Sequence, residues 1–278
     1  MRKVALKKVN RGLVLVVLVL TLLLSMTACD KKENSKNLKV GVAAGPYGDM
    51  FLEAIAPSLE EKGYKVEIVE FTDYVQPNLA LANKEIDLNM FQHTVYLENF
   101  SKEHDLDLTA IKEIPTAGMG IFSQTATKLE DLPEGAKVAI PNDPTNLTRA
   151  IRVLEQAGLV TIDPSTDPKT ATQYTLSENP KNLEFVEIEA PQLPRSLDSV
   201  DIAVVNGNYA IGAGLKLSEA LYNEVLAEGY VNAIVVRTKD KESKFAKDIV
   251  SIVESDAFKA VIEDETKQYV SFHRPSWY

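Results

Sequence analysis

A chain of 278 residues with a formal charge of −10 and a single cysteine excludes several classes at once. It can form no internal disulfide and no multi-cysteine metal site, and an acidic surface is a poor partner for nucleic acid. The roughly 240 residues after the N-terminal segment suffice to bury a core without disulfides, as one large domain or two modest ones.

The chain opens MRKVALKKVNRG, with five basic residues and no acid, and continues with the apolar run LVLVVLVLTLLL (Leu13 to Leu24) and then SMTAC. A basic start, a short apolar stretch and small residues before a cut predict a secretory signal over residues 1–28. The run is shorter than the roughly 20 apolar residues that span a bilayer. Cys29 stands directly at the predicted cut, and Thr27-Ala28-Cys29 resembles a bacterial lipobox, whose cysteine is acylated and becomes the first mature residue. Met26 replaces the leucine usual three residues before that cysteine. Acyl chains on Cys29 would anchor the protein to the membrane on its extracytoplasmic face, with residues 29–37 as acylated cysteine and flexible charged tether. Removing the five basic residues takes the formal charge from −10 to about −15.

From Leu38 one grammar repeats: a short β-branched apolar run, a polar loop, then a helical pattern. LKVGVAAG precedes PYGDMFLEAIAPSLEEKG, VEIVEF precedes TDYVQPNLALANK, and IDLNM precedes FQHTVYLENFSKEHD. Further on, KVAI leads into PNDPTNLTRAIRVLEQAG and DIAVV into NGNYAIGAG. This alternation predicts an α/β fold of mainly parallel sheets flanked by helices. Gly63 and Gly158 occupy helix-ending positions. In the PNDPTN helix, Leu147, Ile151 and Leu154 recur at helical spacing, with Arg149, Arg152 and Glu155 off that face. Phe245, Ile249, Ile252 and Val253 predict a helix packed back on the sheet. Residues 160–182, rich in proline and threonine, read as loop-heavy.

Two features predict two lobes with a cleft between them. IPTAGMGIFS (Ile114 to Ser123) joins the first strand-helix group to the second, and YVNAIVVR (Tyr230 to Arg237) is an apolar return. Lobe 1 is expected to comprise residues 38–117 plus 232–278, and lobe 2 residues 118–231.

Ligands of open α/β sheets bind beyond the carboxyl ends of the strands, so the loops there carry the candidate chemistry. Asp143 and Pro144 start a helix as N-cap and first residue. Arg149, one and a half turns further, is either a solvated surface residue or a fork for a carboxylate. Asn206 follows a buried strand and fits either a turn or an amide that meets a zwitterion. Asn232 lies in an apolar strand and must find a partner. Phe71, Tyr74, Phe91, His93 and Tyr96 form a ring-rich set that fits a core or the walls of an apolar pocket. There is no G-x-S-x-G, H-E-x-x-H or glycine-rich phosphate loop, so no catalytic site, metal site or cofactor is expected. His104 reads as solvated and His273 lies near the tail.

In order behind the lipobox, FQHTVYL, IPNDPTNLTRA, ENPKNLEFVEIEAPQLPRSLDSVDIAVVNGNYA and YVNAIVVR resemble the NlpA/MetQ lipoprotein family, the methionine-binding receptors of ABC importers. The resemblance implies a two-lobed, type II-like periplasmic-binding-protein fold that closes over one small ligand. It also implies partnership with an ABC permease and its ATPase, and a monomer anchored by lipid. By position, Arg149 would take the ligand carboxylate, while Asn206 and Asn232 would meet its carboxylate and ammonium. His93, Tyr96 and Tyr74, with Phe71 and Phe91, would surround the thioether; Arg195 reads as structural. The chain departs from the family at Val95, where proline is common, and at Asn83 or Lys84, where glycine is common. A methionine dipeptide or another small amino acid is the alternative ligand. A surface hydrolase using His93, or an adhesin, are the alternatives in function.

Overall fold

Two five-stranded sheets organise residues 36–278, the part of the chain that this computed structural model describes. The signal segment, Cys29 and nearly all of the tether lie outside the described residues.

The first group runs β1 (Lys36–Ala43), α1 (Tyr47–Met50), a π-helical turn (Phe51–Ile55), α2 (Ala56–Glu61), β2 (Tyr64–Phe71), α3 (Gln76–Ala82), β3 (Leu88–His93), α4 (Thr94–Glu103) and β4 (Leu108–Glu113). The second group runs β5 (Gly120–Phe122), β6 (Lys137–Pro141), α5 (Pro144–Gln156), the short strands β7 (Thr161–Ile162) and β8 (Leu176–Glu178), and β9 (Glu184–Ile188). It ends with α6 (Leu193–Ser196), β10 (Ile202–Val205), α7 (Gly207–Gly212) and β11 (Tyr222–Asn223). The chain then returns through β12 (Asn232–Arg237) and closes with α8 (Lys244–Val253) and α9 (Asp256–Ile262).

The sheet orders are β2-β1-β3-β12-β4 and β11-β5-β10-β6-β9. Both are mixed rather than mainly parallel. β1 with β3, and β6 with both β9 and β10, are parallel. β12 runs antiparallel to β3 and β4, and β5 runs antiparallel to β10 and β11. The cause is the connectivity. β5 and β12 are the strands that the chain forms immediately after passing from one sheet to the other, without the crossover helix that would restore a parallel direction.

The helices form where their apolar periodicity meets a cap. α5 starts at Asp143, whose carboxylate accepts from the Asn146 backbone N–H, with Pro144 in the first turn. Leu147, Ile151 and Leu154 pack into the core of the second sheet. α8 is capped by Ser243 and buries Ile249, Ile252 and Val253 in the core of the first. Gly63 and Gly158 end helical stretches with φ of 82° and 72°, the left-handed conformation that a glycine adopts at least cost. Lys84 stands in the same region, with φ of 65°. A glycine would adopt that conformation at less cost.

β3 extends further than expected: IDLNM does not end it, and Phe91-Gln92-His93 are its last three residues, all buried. Its polar members are satisfied internally. Gln92 and Asn78 exchange hydrogen bonds through Nε2 to Oδ1 (2.6 Å) and Nδ2 to Oε1 (2.8 Å), and Asn89 donates to Asn78 at 2.9 Å. A closed amide cluster of this kind avoids the penalty of unpaired polar groups behind a cavity wall.

One place where the two halves meet is Gly45, which has φ of +125°. Asn208 donates to the Ala44 carbonyl (2.9 Å) and accepts from the Tyr74 hydroxyl (2.6 Å), and Tyr209 donates to the Thr72 carbonyl (3.3 Å). A Cβ on Gly45 would lie 2.4 Å from the Asn208 carbonyl oxygen, so the approach depends on glycine. Gly45→Ala is expected to lower stability by about 1–3 kcal/mol in denaturant unfolding and to enlarge the radius of gyration measured by small-angle scattering. Wild-type values for both would refute this account of the contact.

Candidate functional site

A small cavity lies between the two sheets. The first sheet presents its residues from the C-terminal end of β3, the start of α4 and the loop after β2. The second presents them from the start of α5 and the loop after β10. Seven residues singled out in the sequence line this cavity: Arg149, Asn206, Asn232, His93, Tyr96, Tyr74 and Phe91. Phe71 does not. As the last residue of β2 it packs against the cluster of Leu81, Ile86 and Val235, whereas Tyr74 lies beyond the strand in the bend that follows it.

Arg149 is buried, not solvated: its side chain is 6% exposed. Its Nε and Nη2 each donate to one carboxylate oxygen of Glu224 at 2.7 Å. Glu224 is itself 3% exposed and also accepts from the Met119 backbone N–H at 2.7 Å. Burial alone would lower the Arg149 pKa, but the Glu224 carboxylate outweighs it and the net direction is up. The face of Tyr230 lies 5.3 Å from the guanidinium, a cation–π contact. Among the described residues the Nη1 amino group has no partner in the protein.

Asn206, after β10, donates through Nδ2 to Asn146 Oδ1 at 2.9 Å, and its own Oδ1 is buried without a partner. A buried bare acceptor of this kind costs about 1–3 kcal/mol unless something donates to it. Asn232 in β12 donates to the Phe91 carbonyl at 3.2 Å. The protein itself therefore supplies one partner for the amide that the apolar strand left unexplained.

His93 turns out to be the N-cap of α4: its Nδ1 accepts from the Tyr96 N–H at 3.1 Å. That fixes the neutral tautomer with the proton on Nε2, which faces Asn146 Oδ1 at 3.5 Å. Burial first, and the Arg149 charge second, hold its pKa well below the ordinary histidine value. Tyr96, Tyr74 and Phe91 form a ring cluster with centroids 5.8–6.2 Å apart, and burial raises the phenol of Tyr74 far above its usual range. His104 is exposed and stacks on Phe100; the exposed His273 pairs through its backbone with Thr116. Among the described residues no group of three or more histidine, cysteine or acidic side chains is placed to hold a metal ion.

Several members of the site escaped the sequence reading. Tyr47, Gln92, Asn146 and Asn208 line the cavity. Asn146 lies inside PNDPTN, where the helix-capping pattern accounted for its neighbours and left no separate signal. Glu224, in the unremarkable stretch YNEVLAEG, had no local signal at all. Val95 lies off the cavity, and its N–H donates to the Gly229 carbonyl at 3.2 Å, a bond that proline could not make.

The NlpA lipoprotein family model matches residues 38–273. The D-methionine-binding lipoprotein MetQ of Salmonella typhi is 38% identical over 237 residues, 84% of this chain and 87% of its own length. Outer membrane lipoprotein 3 of Mannheimia haemolytica is 37% identical over 234 residues, with 84% and 88% covered. A nutrient binding protein of Burkholderia cenocepacia, solved bound to methionine, superposes with a TM-score of 0.77 at 38% identity, covering 82% of this chain and 96% of that one. The substrate binding protein of a Streptococcus pneumoniae methionine transporter gives 0.77 at 35% identity, covering 84% and 94%.

Two outcomes test this geometry. Protonating His93 favours the unfolded chain, where its pKa is near 6.5, so stability present at neutral pH is lost as pH falls below that value. Between pH 7.5 and 5.5 the wild type should lose about 1 kcal/mol more than His93→Asn, which keeps a capping side chain; parallel urea-unfolding profiles would refute the neutral assignment. Glu224→Ala removes the anion paired with the buried Arg149 guanidinium and should cost about 3–5 kcal/mol. A loss under about 1 kcal/mol, typical of a surface pair, would show that Arg149 needs no such partner.

Proposed function

The chain belongs to the NlpA lipoprotein family, and on that premise we propose that it is a receptor for methionine, carried by an acylated Cys29 on the extracytoplasmic face of the membrane. It hands its ligand to an ABC permease driven by an ATPase, and it works as a monomer. Lobe 1 comprises residues 38–117 and 232–278, and lobe 2 residues 118–231. Among the described residues no helix is long and apolar enough to cross a membrane.

The observation that carries this reading is the pair of unspent groups in one small cavity: the Nη1 donors of Arg149 and the bare Oδ1 acceptor of Asn206. A free α-amino acid supplies a carboxylate to the first and an ammonium to the second. Its charges cancel, which suits a cavity where Arg149 is already balanced by Glu224. The tail then points at Tyr74, Phe91, Tyr96 and the neutral His93 ring, a wall that suits a polarisable thioether. The reading takes L-methionine as ligand and D-methionine as a second one.

Calorimetry on protein unfolded and refolded to strip any retained ligand tests this. L-Methionine should bind to one site, and Arg149→Ala should weaken binding by about 2–5 kcal/mol, because an unpaired carboxylate would be left in a desolvated site. Absence of heat with either enantiomer would sink the ligand assignment; equal affinity in wild type and Arg149→Ala would sink the role of the arginine.

A further inference from the structure

The proposed ammonium site depends on which way round the Asn206 amide sits, and nothing on Asn206 itself decides that. The cause lies two hydrogen bonds away, at Asp143. Asp143 holds the Asn146 side chain by both carboxylate oxygens: Asn146 Nδ2 lies 3.1 Å from Oδ1 and 3.0 Å from Oδ2. A carboxylate accepts only, so the Asn146 amide must turn its NH₂ toward Asp143 and its Oδ1 the other way. Two donors converge on that Oδ1. One is Asn206 Nδ2 at 2.9 Å, and the other is the Nε2–H of His93 at 3.5 Å, whose tautomer is set independently by the Tyr96 N–H on Nδ1. With its Nδ2 committed there, Asn206 has only Oδ1 left for the cavity, and that oxygen is buried and without a partner.

We propose that Asp143 is a positioning residue for ligand recognition: acting through Asn146, it fixes the polarity of the Asn206 amide, so that the cavity offers an acceptor and selects ligands with a protonated amine. The inference rests on the amino-acid-receptor reading above. It is distinct from the capping role of Asp143, because the cap uses the Asn146 backbone N–H and the relay uses the side chain.

Asparagine at 143 separates the two. Asn is as good an N-cap as Asp, but its Nδ2 would face the Asn146 Nδ2 donor-to-donor. In Asp143→Asn the side-chain oxygen can still accept from Asn146, but Asn146 is no longer held in one orientation, and the Asn206 amide becomes free to turn its NH₂ toward the cavity. The experiment measures affinity for methionine and for 4-(methylthio)butanoate, the same molecule without its amine, by calorimetry. Wild type should prefer methionine, and Asp143→Asn should reduce that preference by on the order of tenfold or more, the worth of one charge-assisted hydrogen bond. Binding of the deaminated acid should change much less, since Arg149 is untouched.

A simple loss of negative charge near the ligand would also weaken amine binding, so the double variant is decisive. In an Asn206→Ala background the relay has no end group, and Asp143→Asn should leave the preference unchanged; a further drop there would assign the effect to charge and overturn the proposal. Asn146→Ala removes the middle link, should lower the preference without adding to Asp143→Asn, and carries the same test if Asp143→Asn does not fold. If wild type binds methionine with an amine preference that both Asp143→Asn and Asn146→Ala retain, the relay is wrong and the receptor reading stands. If wild type binds neither compound, the receptor reading fails and the relay falls with it.

Discussion

The buried pair of Arg149 and Glu224 is the interaction on which the rest of the site depends. A guanidinium with 6% of its side chain exposed cannot remain charged inside a protein without an anion and full hydrogen bonding. Glu224 supplies both in bidentate geometry and is itself pinned by the Met119 N–H. Met119 lies just before β5 and Glu224 just after β11, so the pair ties α5 to the segments by which the chain enters and leaves the second sheet. The cost of burying the charge is thereby separated from its use. Two of its nitrogens are bound to Glu224, and the residue still lines the cavity.

The opposite wall follows the same rule of assigning each polar group one task. His93 gives Nδ1 to the helix cap, leaving Nε2–H for Asn146. Gln92, Asn89 and Asn78 satisfy one another. Asn208 bridges Ala44 and Tyr74 across the interface. In a low-dielectric interior every unmet donor or acceptor is expensive, so a site with many amides must commit almost all of them. Among the described residues, Asn206 Oδ1 is the uncommitted acceptor on the cavity. For that reason the orientation of neighbouring amides matters as much as their presence.

The mixed sheets belong to this picture. β5 and β12 enter their sheets antiparallel to their neighbours in the ladder, and the segments beside them, 114–119 and 224–231, carry Ala117, Glu224 and Tyr230 to the cavity or its edge. The connections between lobes thus supply side chains to the site as well as joining the lobes. An added residue or a changed turn there would disturb the placement of Arg149 before it disturbed either core.

Alternation of β-branched runs with 3.6-residue periodicity was enough to determine by itself an α/β chain, the Asp143-Pro144 helix start, the glycine-ended helices and the apolar faces of α5 and α8, since these are local rules satisfied within a few residues. Arg149, Asn206, Asn232, His93, Tyr74, Tyr96 and Phe91 were each left by their own local pattern between a structural and a ligand role, and the family resemblance of the blocks that hold them is what put them together. Tertiary structure alone decided that Arg149 is buried, that Glu224 is its partner 75 residues away, that His93 caps a helix, and that Phe71 points off the cavity. It alone decided the antiparallel entry of β5 and β12 and the amide order from Asp143 to Asn206. Each of these depends on which groups meet across long sequence separations. A hydrogen bond is specified by the partner's position in space, and periodicity along the chain carries no record of it.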